Sequence, residues 1–329
     1  KDKDAIAIQY ATIPSGRAER IEEKGFSAQK IGYRKQPLTA SDLQGNAFDI
    51  VARDMTYEEA THLAQRLVEM GRYGIPNYFD TQRFGSYAPK WGYIGKAILQ
   101  RDPEAALYAY LTQPFLGDPR PIRAFKHKAA GLWPNWAEMM GAAPRPSNYR
   151  SVLTYLIDHP KGFRKALNLI PQRLLSLYLA AYQSYLWNRI AAECLMQIYT
   201  RAQAPIAHLD VVGQSLPFHA QLPQTVADQL KEMRIALPNH QAIYRLAEIE
   251  AIAREVLAQE GLEFANLKAR ILQKAYLAKG MRSLIVIPED IKTEDPVKDE
   301  HFPGRFRLRV QFALPRGSYA TMVIKAASI

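Results

Sequence analysis

Polar and apolar residues alternate over residues 44–53, with Phe48 and Ile50 on one side and Asp49 and Arg53 on the other. That period of two predicts a half-buried strand after the Gly45-Asn46 turn. Thr56 stands three residues before Glu59, the spacing of a capping box. Ala60, Leu63, Ala64, Leu67 and Val68 then form one helical stripe, which Gly71 is expected to stop. Residues 103–146 read as loop-rich, because Pro114, Pro119, Pro121 and Pro134 are interleaved with Arg120, Arg123, Lys126 and Lys128. A long, mostly apolar helix is predicted over 171–198. A second is predicted over 239–259, where Ile243, Leu246, Ala247, Ala253, Val256 and Leu257 approximate a 3.6 period. After Gly280 the β signal returns, in the apolar run 283–287 and in Phe306, Leu308 and Val310 alternating with Arg305, Arg307 and Arg309. A third strand is expected over 318–325, beyond a turn at Pro315-Arg316-Gly317. β-rich flanks around a helical middle predict a mixed α+β fold, one domain interrupted by an insertion.

Composition narrows the function only partly. An apolar content of 48% over 329 residues is enough for a real core, in one large domain with an insertion or in two domains. The formal charge of +11 favours an anionic partner, leaving nucleic acid, an acidic membrane surface and an acidic protein open. A single cysteine, Cys194, excludes an intramolecular disulfide and a Cys-rich metal site, and fits a reducing cytosol. The most apolar stretch, 174–187, contains Ser176, Gln183 and Ser184, so no membrane span is expected. The chain opens on Lys1-Asp2-Lys3-Asp4 without an initiator methionine, as if the numbering began inside a longer chain. No phosphate-binding G-x-x-x-x-G-K-[ST], no G-x-S-x-G and no H-E-x-x-H is present, and the seven histidines are scattered.

Four strings carry a resemblance. Lys1-Asp2-Lys3-Asp4-Ala5 with Gln9 resembles a K-D-x-x-A-x-T-x-Q signature, with Ala7 where threonine is usual. The run Gly74-Ile75-Pro76-Asn77-Tyr78-Phe79-Asp80-Thr81-Gln82-Arg83-Phe84-Gly85 resembles G-x-P-N-Y-F-G-x-Q-R-F-G, with Asp80 in place of glycine. Tyr182-Gln183-Ser184-Tyr185-Leu186-Trp187-Asn188 resembles a helix motif, and Leu314-Pro315-Arg316-Gly317-Ser318-Tyr319-Ala320-Thr321 a C-terminal strand motif. In this order they resemble the TruD family of pseudouridine synthases.

The resemblance implies a catalytic domain of residues 1–112 and 283–329, with a mostly helical inserted domain at 113–282. It implies isomerisation of a uridine in tRNA, at position 13, with no cofactor and no metal. Related members also modify other RNAs. Asp2 is implied as the carboxylate that starts the reaction, as nucleophile or base. Taken by itself, a Lys-Asp-Lys-Asp terminus is a solvated charge run, and Asp4 keeps that reading. Phe79 is implied to stack the flipped base and Asn77 to orient it, with Gln82 and Arg83 beside them. Read without the resemblance, Tyr78, Phe79 and Phe84 would simply pack a loop. Asp80 is expected in a turn with φ > 0, its charge unexplained. The cation supporting Asp2 lies upstream in the family, and Lys1 and Arg83 are weak substitutes. Phosphate contacts are expected from Arg120, Arg123, Lys126 and Lys128, from Lys161, Arg164 and Lys165, and above all from the one-faced Arg305, Arg307 and Arg309. The partner expected is therefore tRNA, met in the cytoplasm by a monomer. Two rivals stand beside this reading: a non-catalytic RNA-binding protein on the same scaffold, and a hydrolase pairing Asp2 and Asp4 around a metal.

Overall fold

Thr56 does what its spacing predicts: its hydroxyl accepts from Glu59 N at 3.1 Å while the Glu59 carboxylate accepts from Thr56 N at 2.6 Å. These contacts are seen in a computed structural model that describes residues 6–16 and 18–329. The chain divides into two compact units, residues 1–46 and 47–329. In the first, β1 (Arg20–Glu23) and β2 (Phe26–Gln29) pair as an antiparallel hairpin.

The larger unit opens within β3 (Gly45–Met55), which turns Phe48 and Ile50 inward, as the alternation predicts, together with Ala52. The capped helix is α1 (Tyr57–Tyr73), which buries Ala60, Leu63, Leu67 and Met70 and leaves Val68 exposed. Gly71 does not stop it. A Cβ there would lie 2.9 Å from Ile291 Cδ1, so this glycine allows close packing inside the helix. The helix ends at Gly74, which takes φ 74° and donates its N–H to Met70 O.

Beyond it come β4 (Ile75–Pro76), a 3-10 turn at Thr81–Phe84, the β5 (Tyr87–Ala88) and β6 (Gly92–Tyr93) pair, and α2 (Ile94–Leu99). The region expected to be loop-rich is helical: α3 (Pro103–Thr112), α4 (Arg120–Leu132) and α5 (Trp136–Ala142). Pro103, Pro119 and Pro121 stand at helix starts, whereas Pro114 and Pro134 fall in the connections between helices. Pro103 and Pro121 occupy first-turn positions, where the missing N–H would have had no partner, and Asp102 and Asn135 cap the starts. Then follow α6 (Tyr149–Asp158), α7 (Phe163–Leu167) and the 30-residue α8 (Gln172–Arg201), buried on most of its circumference.

The hairpin β7 (Ile206–Val211) and β8 (Gln214–His219) leads to α9 (Gln224–Glu232), β9 (Arg234–Ala236) and α10 (Ala247–Gln259). The helix expected from residue 239 starts only at Ala247. Before it, the Asn239 side chain accepts from Gln241 N at 2.9 Å and donates to Leu237 O at 2.8 Å, an Asx turn that competes with helix.

β10 (Met281–Ser283) pairs with β9, and β11 (Ile285–Val286) pairs antiparallel with β4, joining residues far apart in sequence. The main sheet runs β12 (Glu289–Thr293), β14 (Phe306–Pro315), β13 (Val297–Lys298), and β3 also pairs with β14. β14 buries Leu308, Val310, Phe312 and Leu314. The strand expected at 318–325 is a helix, α11 (Ala320–Ala327). Its buried residues Met322, Val323, Ala326 and Ala327 recur with the helical period, not with two. Among the described residues no helix is long and apolar enough to cross a membrane.

Candidate active site

Asp2, Lys1 and Asp4 lie outside the described residues. The other signature strings meet around Phe79. This residue follows β4 in an extended segment, and the Asn188 carboxamide of α8 brackets its backbone: Phe79 N donates to Asn188 Oδ1 at 2.8 Å, and Asn188 Nδ2 donates to Phe79 O at 2.9 Å. The side chain imitates a strand partner, meeting both backbone groups of Phe79. One turn earlier on α8, Ser184 Oγ accepts from Arg83 Nε at 3.0 Å. Gln183 ties down two further loops, donating to Pro238 O and Ala278 O at 3.0 and 2.8 Å. Thus the 182–188 string acts as a bracket.

Phe79 is buried, with 8% of the residue exposed. Trp187 meets it edge-on at 5.6 Å between centroids and Tyr319 at 6.3 Å. The Arg83 guanidinium carbon lies 5.6 Å from its centroid. Gln82 is exposed on the adjoining turn. In these surroundings the ring packs as a core residue would.

Asp80 corrects the expectation of a left-handed turn: its φ is −98°, and it caps the 3-10 turn by accepting from Thr81 N at 2.7 Å. Its charge also has a partner. Lys325 Nζ of α11 donates to it at 2.6 Å, and the Thr321 hydroxyl donates to its other oxygen. Burial alone would raise the Asp80 pKa, but Lys325, Thr321 and the Thr81 amide together hold it below the ordinary carboxylate value. The C-terminal string is therefore a latch from strand end to helix.

Sequence reasoning passed over Arg282. Its guanidinium carbon sits 4.0 Å from the Phe79 centroid and 5.3 Å from the Trp187 ring. Nε donates to Asn77 O at 2.7 Å, Nη2 to Asn77 Oδ1 at 2.8 Å, and Nη1 to Gly317 O at 2.8 Å. Asn77 is itself buried, and its Nδ2 donates to Ser283 O at 3.2 Å. Burial brings the Arg282 pKa down to about 10, which still leaves it charged at neutral pH. Among the described residues its hydrogen-bond acceptors are all uncharged. A lone arginine before an apolar run carries no periodic signal that would have marked it.

The open cationic stripe expected from Arg305, Arg307 and Arg309 is not present. Arg305 Nε bonds Asp54 at 2.9 Å, Arg307 lies 2.7 Å from the Glu300 carboxylate, and Arg309 holds Asp49 through two bonds of 2.9 and 2.7 Å. Pairing of β3 with β14 sets Asp49 opposite the arginines, and Arg309 with Gln311 lowers its pKa to about 2. Lys126 is also no surface cation: it is fully buried on Asp118 at 2.7 Å, and burial lowers its pKa to about 8. Arg120, Arg123, Lys128, Lys161, Arg164 and Lys165 are exposed. Among the described residues no group of three His, Cys, Asp or Glu side chains is placed to hold a metal ion. Cys194 lies buried on α8, its thiol pushed up to about 12 by that burial.

Comparison with known proteins bears on the whole chain. A tRNA pseudouridine synthase D from Aquifex aeolicus is 26% identical over 333 residues, covering 99% of this chain and 81% of the relative. The probable tRNA pseudouridine synthase D 1 of Methanococcus maripaludis is 28% identical over 330 residues, covering 99% and 83%. A Methanosarcina mazei crystal structure assigned to tRNA pseudouridine synthase D superposes with a TM-score of 0.70 at 24% identity, over 94% of this chain and 74% of that one, a likeness of fold. The family model for tRNA pseudouridine synthase D (TruD) matches residues 1–327, and the chain belongs to that family.

Proposed function

We propose that this chain isomerises a uridine of tRNA to pseudouridine in the cytoplasm, at position 13 by family resemblance, through a carboxylate supplied by Asp2. The N1–C1′ bond breaks, the uracil turns, a C5–C1′ bond forms, the C5 proton passes to water and N1 gains one. Nothing is oxidised. Asp2 starts the sequence by attacking the nucleotide or by removing a C2′ proton.

The observation that carries the reading is the convergence of three signature strings on Phe79, through Asn188, Asp80, Thr321 and Lys325. A base flipped out of its stack needs a fixed aromatic face and a polar edge. Phe79 offers the ring and Asn77 the amide, with Arg83 beside them. Gln82, exposed on the same turn, is assigned to the RNA near the flipped base. We assign the phosphate contacts to the exposed Arg120, Arg123, Lys128, Lys161, Arg164 and Lys165. Residues 113–282 are proposed as the inserted domain, a reading supported by the pairing of β4 with β11, which joins the flanks on either side.

The test is tritium release from 5-tritiated uridine in tRNA with EDTA present. Asp2→Asn should slow release by about 10³-fold or more while leaving tRNA affinity near that of the parent. Equal release by the substituted enzyme would remove Asp2 from the mechanism.

A further inference from the structure

A guanidinium can only donate hydrogen bonds, so the Asn77 atom that faces Arg282 Nη2 at 2.8 Å must be the amide oxygen. Asn77 Nδ2 then faces the Ser283 carbonyl at 3.2 Å. A flipped amide would set N–H against guanidinium and oxygen against carbonyl. The orientation is locked from both ends. Among the described residues each end keeps one capacity, a lone pair on Oδ1 and an N–H on Nδ2. Uracil presents N3–H beside a carbonyl, a donor next to an acceptor, which this amide complements. The same guanidinium sits over the Phe79 ring, its carbon 4.0 Å from the centroid, binds the Asn77 carbonyl and reaches Gly317 ahead of α11. It therefore touches the ring, the amide and the latch segment together.

We propose that Arg282 is a positioning residue of the uridine pocket, which holds the base-reading amide of Asn77 and the ring of Phe79 in one fixed relation. This rests on the reading of Asn77 and Phe79 given above. The protein builds the arrangement against its own stability: a buried cation without a carboxylate among its described partners is unfavourable for folding alone. Neutral acceptors and two aromatic faces offset part of that penalty. A purely structural role would be filled as well by an apolar side chain of similar volume.

The experiment measures single-turnover release at saturating tRNA, together with tRNA affinity, for Arg282→Met, Arg282→Lys, Asn77→Ala and the Asn77→Ala/Arg282→Met double variant. Arg282→Met should lose roughly 30-fold in rate with affinity within about threefold, since misplacement of a bound base is felt in the chemical step. Arg282→Lys, which keeps a donor and a charge, should recover at least about threefold of that loss. The double variant should be clearly faster than the product of the two single losses, because part of the Arg282 effect runs through Asn77. Multiplying losses, or Met and Lys variants equally slow with affinity falling in step, would overturn the proposal. If Arg282→Met does not fold, Arg282→Lys with its Asn77→Ala double completes the same cycle. An Asn77→Ala enzyme of normal rate would defeat the underlying pocket reading, whereas a normal Arg282→Met beside a slow Asn77→Ala would defeat this inference alone.

Discussion

Asp80 is 1% exposed, and an unpartnered carboxylate at that depth would neutralise or unfold its surroundings. It stays charged because Lys325 and Thr321 arrive from α11, so where the family signature has glycine this chain has a charged latch. The neighbouring Phe79 ring packs against Trp187, and in the proposed pocket the same ring would also stack a base. Phe79→Leu keeps apolar bulk and removes the π face. Without the edge-on aromatic packing, stability should fall by about 1 kcal/mol, and without base stacking binding or turnover should fall by a further 1–3 kcal/mol, roughly 5- to 150-fold. Melting temperature and single-turnover rate measured on one sample separate the two. A destabilised protein with an unimpaired rate per folded molecule would leave Phe79 a core residue only.

Elements were legible where a local rule and the tertiary environment agreed. The Thr56 cap, the inward Phe48 and Ile50 and the alternation of Phe306, Leu308 and Val310 with arginines needed no knowledge of what packs on them. The helical α11 was misread as a strand following the 315–317 turn, while its burial against the α1 side follows the helical period. Residues 103–146 were misread because a proline is a breaker inside a helix and a starter in its first turn, and composition does not say which. Of the proposed pocket, the Phe79 ring and the Asn77 amide were singled out through their motif, whereas Arg282 is placed by β10 pairing with β9 and by β11 pairing with β4 just after it, a long-range arrangement. Another such contact joins α8 to β8, where Tyr199 Oη lies 2.8 Å from His219 Nδ1. Burial, aided by nearby Arg66 and opposed by a backbone hydrogen bond with Gly74, pulls the His219 pKa from 6.5 to about 4. Between those values the unfolded chain binds the proton and the folded one does not. Stability contributed by neutral His219 is thus whole above about pH 6.5 and falls by about 3 kcal/mol as pH drops through 4. Urea unfolding at pH 7 and pH 4 should show the parent losing about that much more than His219→Gln. Equal losses would mean that this histidine titrates normally in the fold.

At the scale of the molecule, an excess of eleven positive charges says that RNA will be attracted but not where. Alternating arginines on β14 drew attention because sequence displays them in a row. The sheet, however, sets them against Asp49, Asp54, Glu59, Glu294 and Glu300 on neighbouring segments, and these carboxylates outnumber the three arginines. A phosphate approaching that face must displace a carboxylate already bound, with little net gain in charge neutralisation. The exposed Arg120, Arg123 and Lys128 on α4 have no such partners among the described ion pairs. For every phosphate no longer neutralised, the slope of log affinity against log salt should fall by about 0.7–0.9. Arg120, Arg123 and Lys128 changed together to Ala should therefore reduce the slope by about one to three. Removing Asp49 with Arg309, Ala for both, takes away a pair without changing net charge and should leave the slope within error of the parent. Changing the arginines alone would mislead, because it bares carboxylates that repel RNA at long range. If the charge-neutral pair variant lowers the slope while the α4 variant does not, the β14 face reads phosphate after all, and its carboxylates are exchanged for RNA on binding.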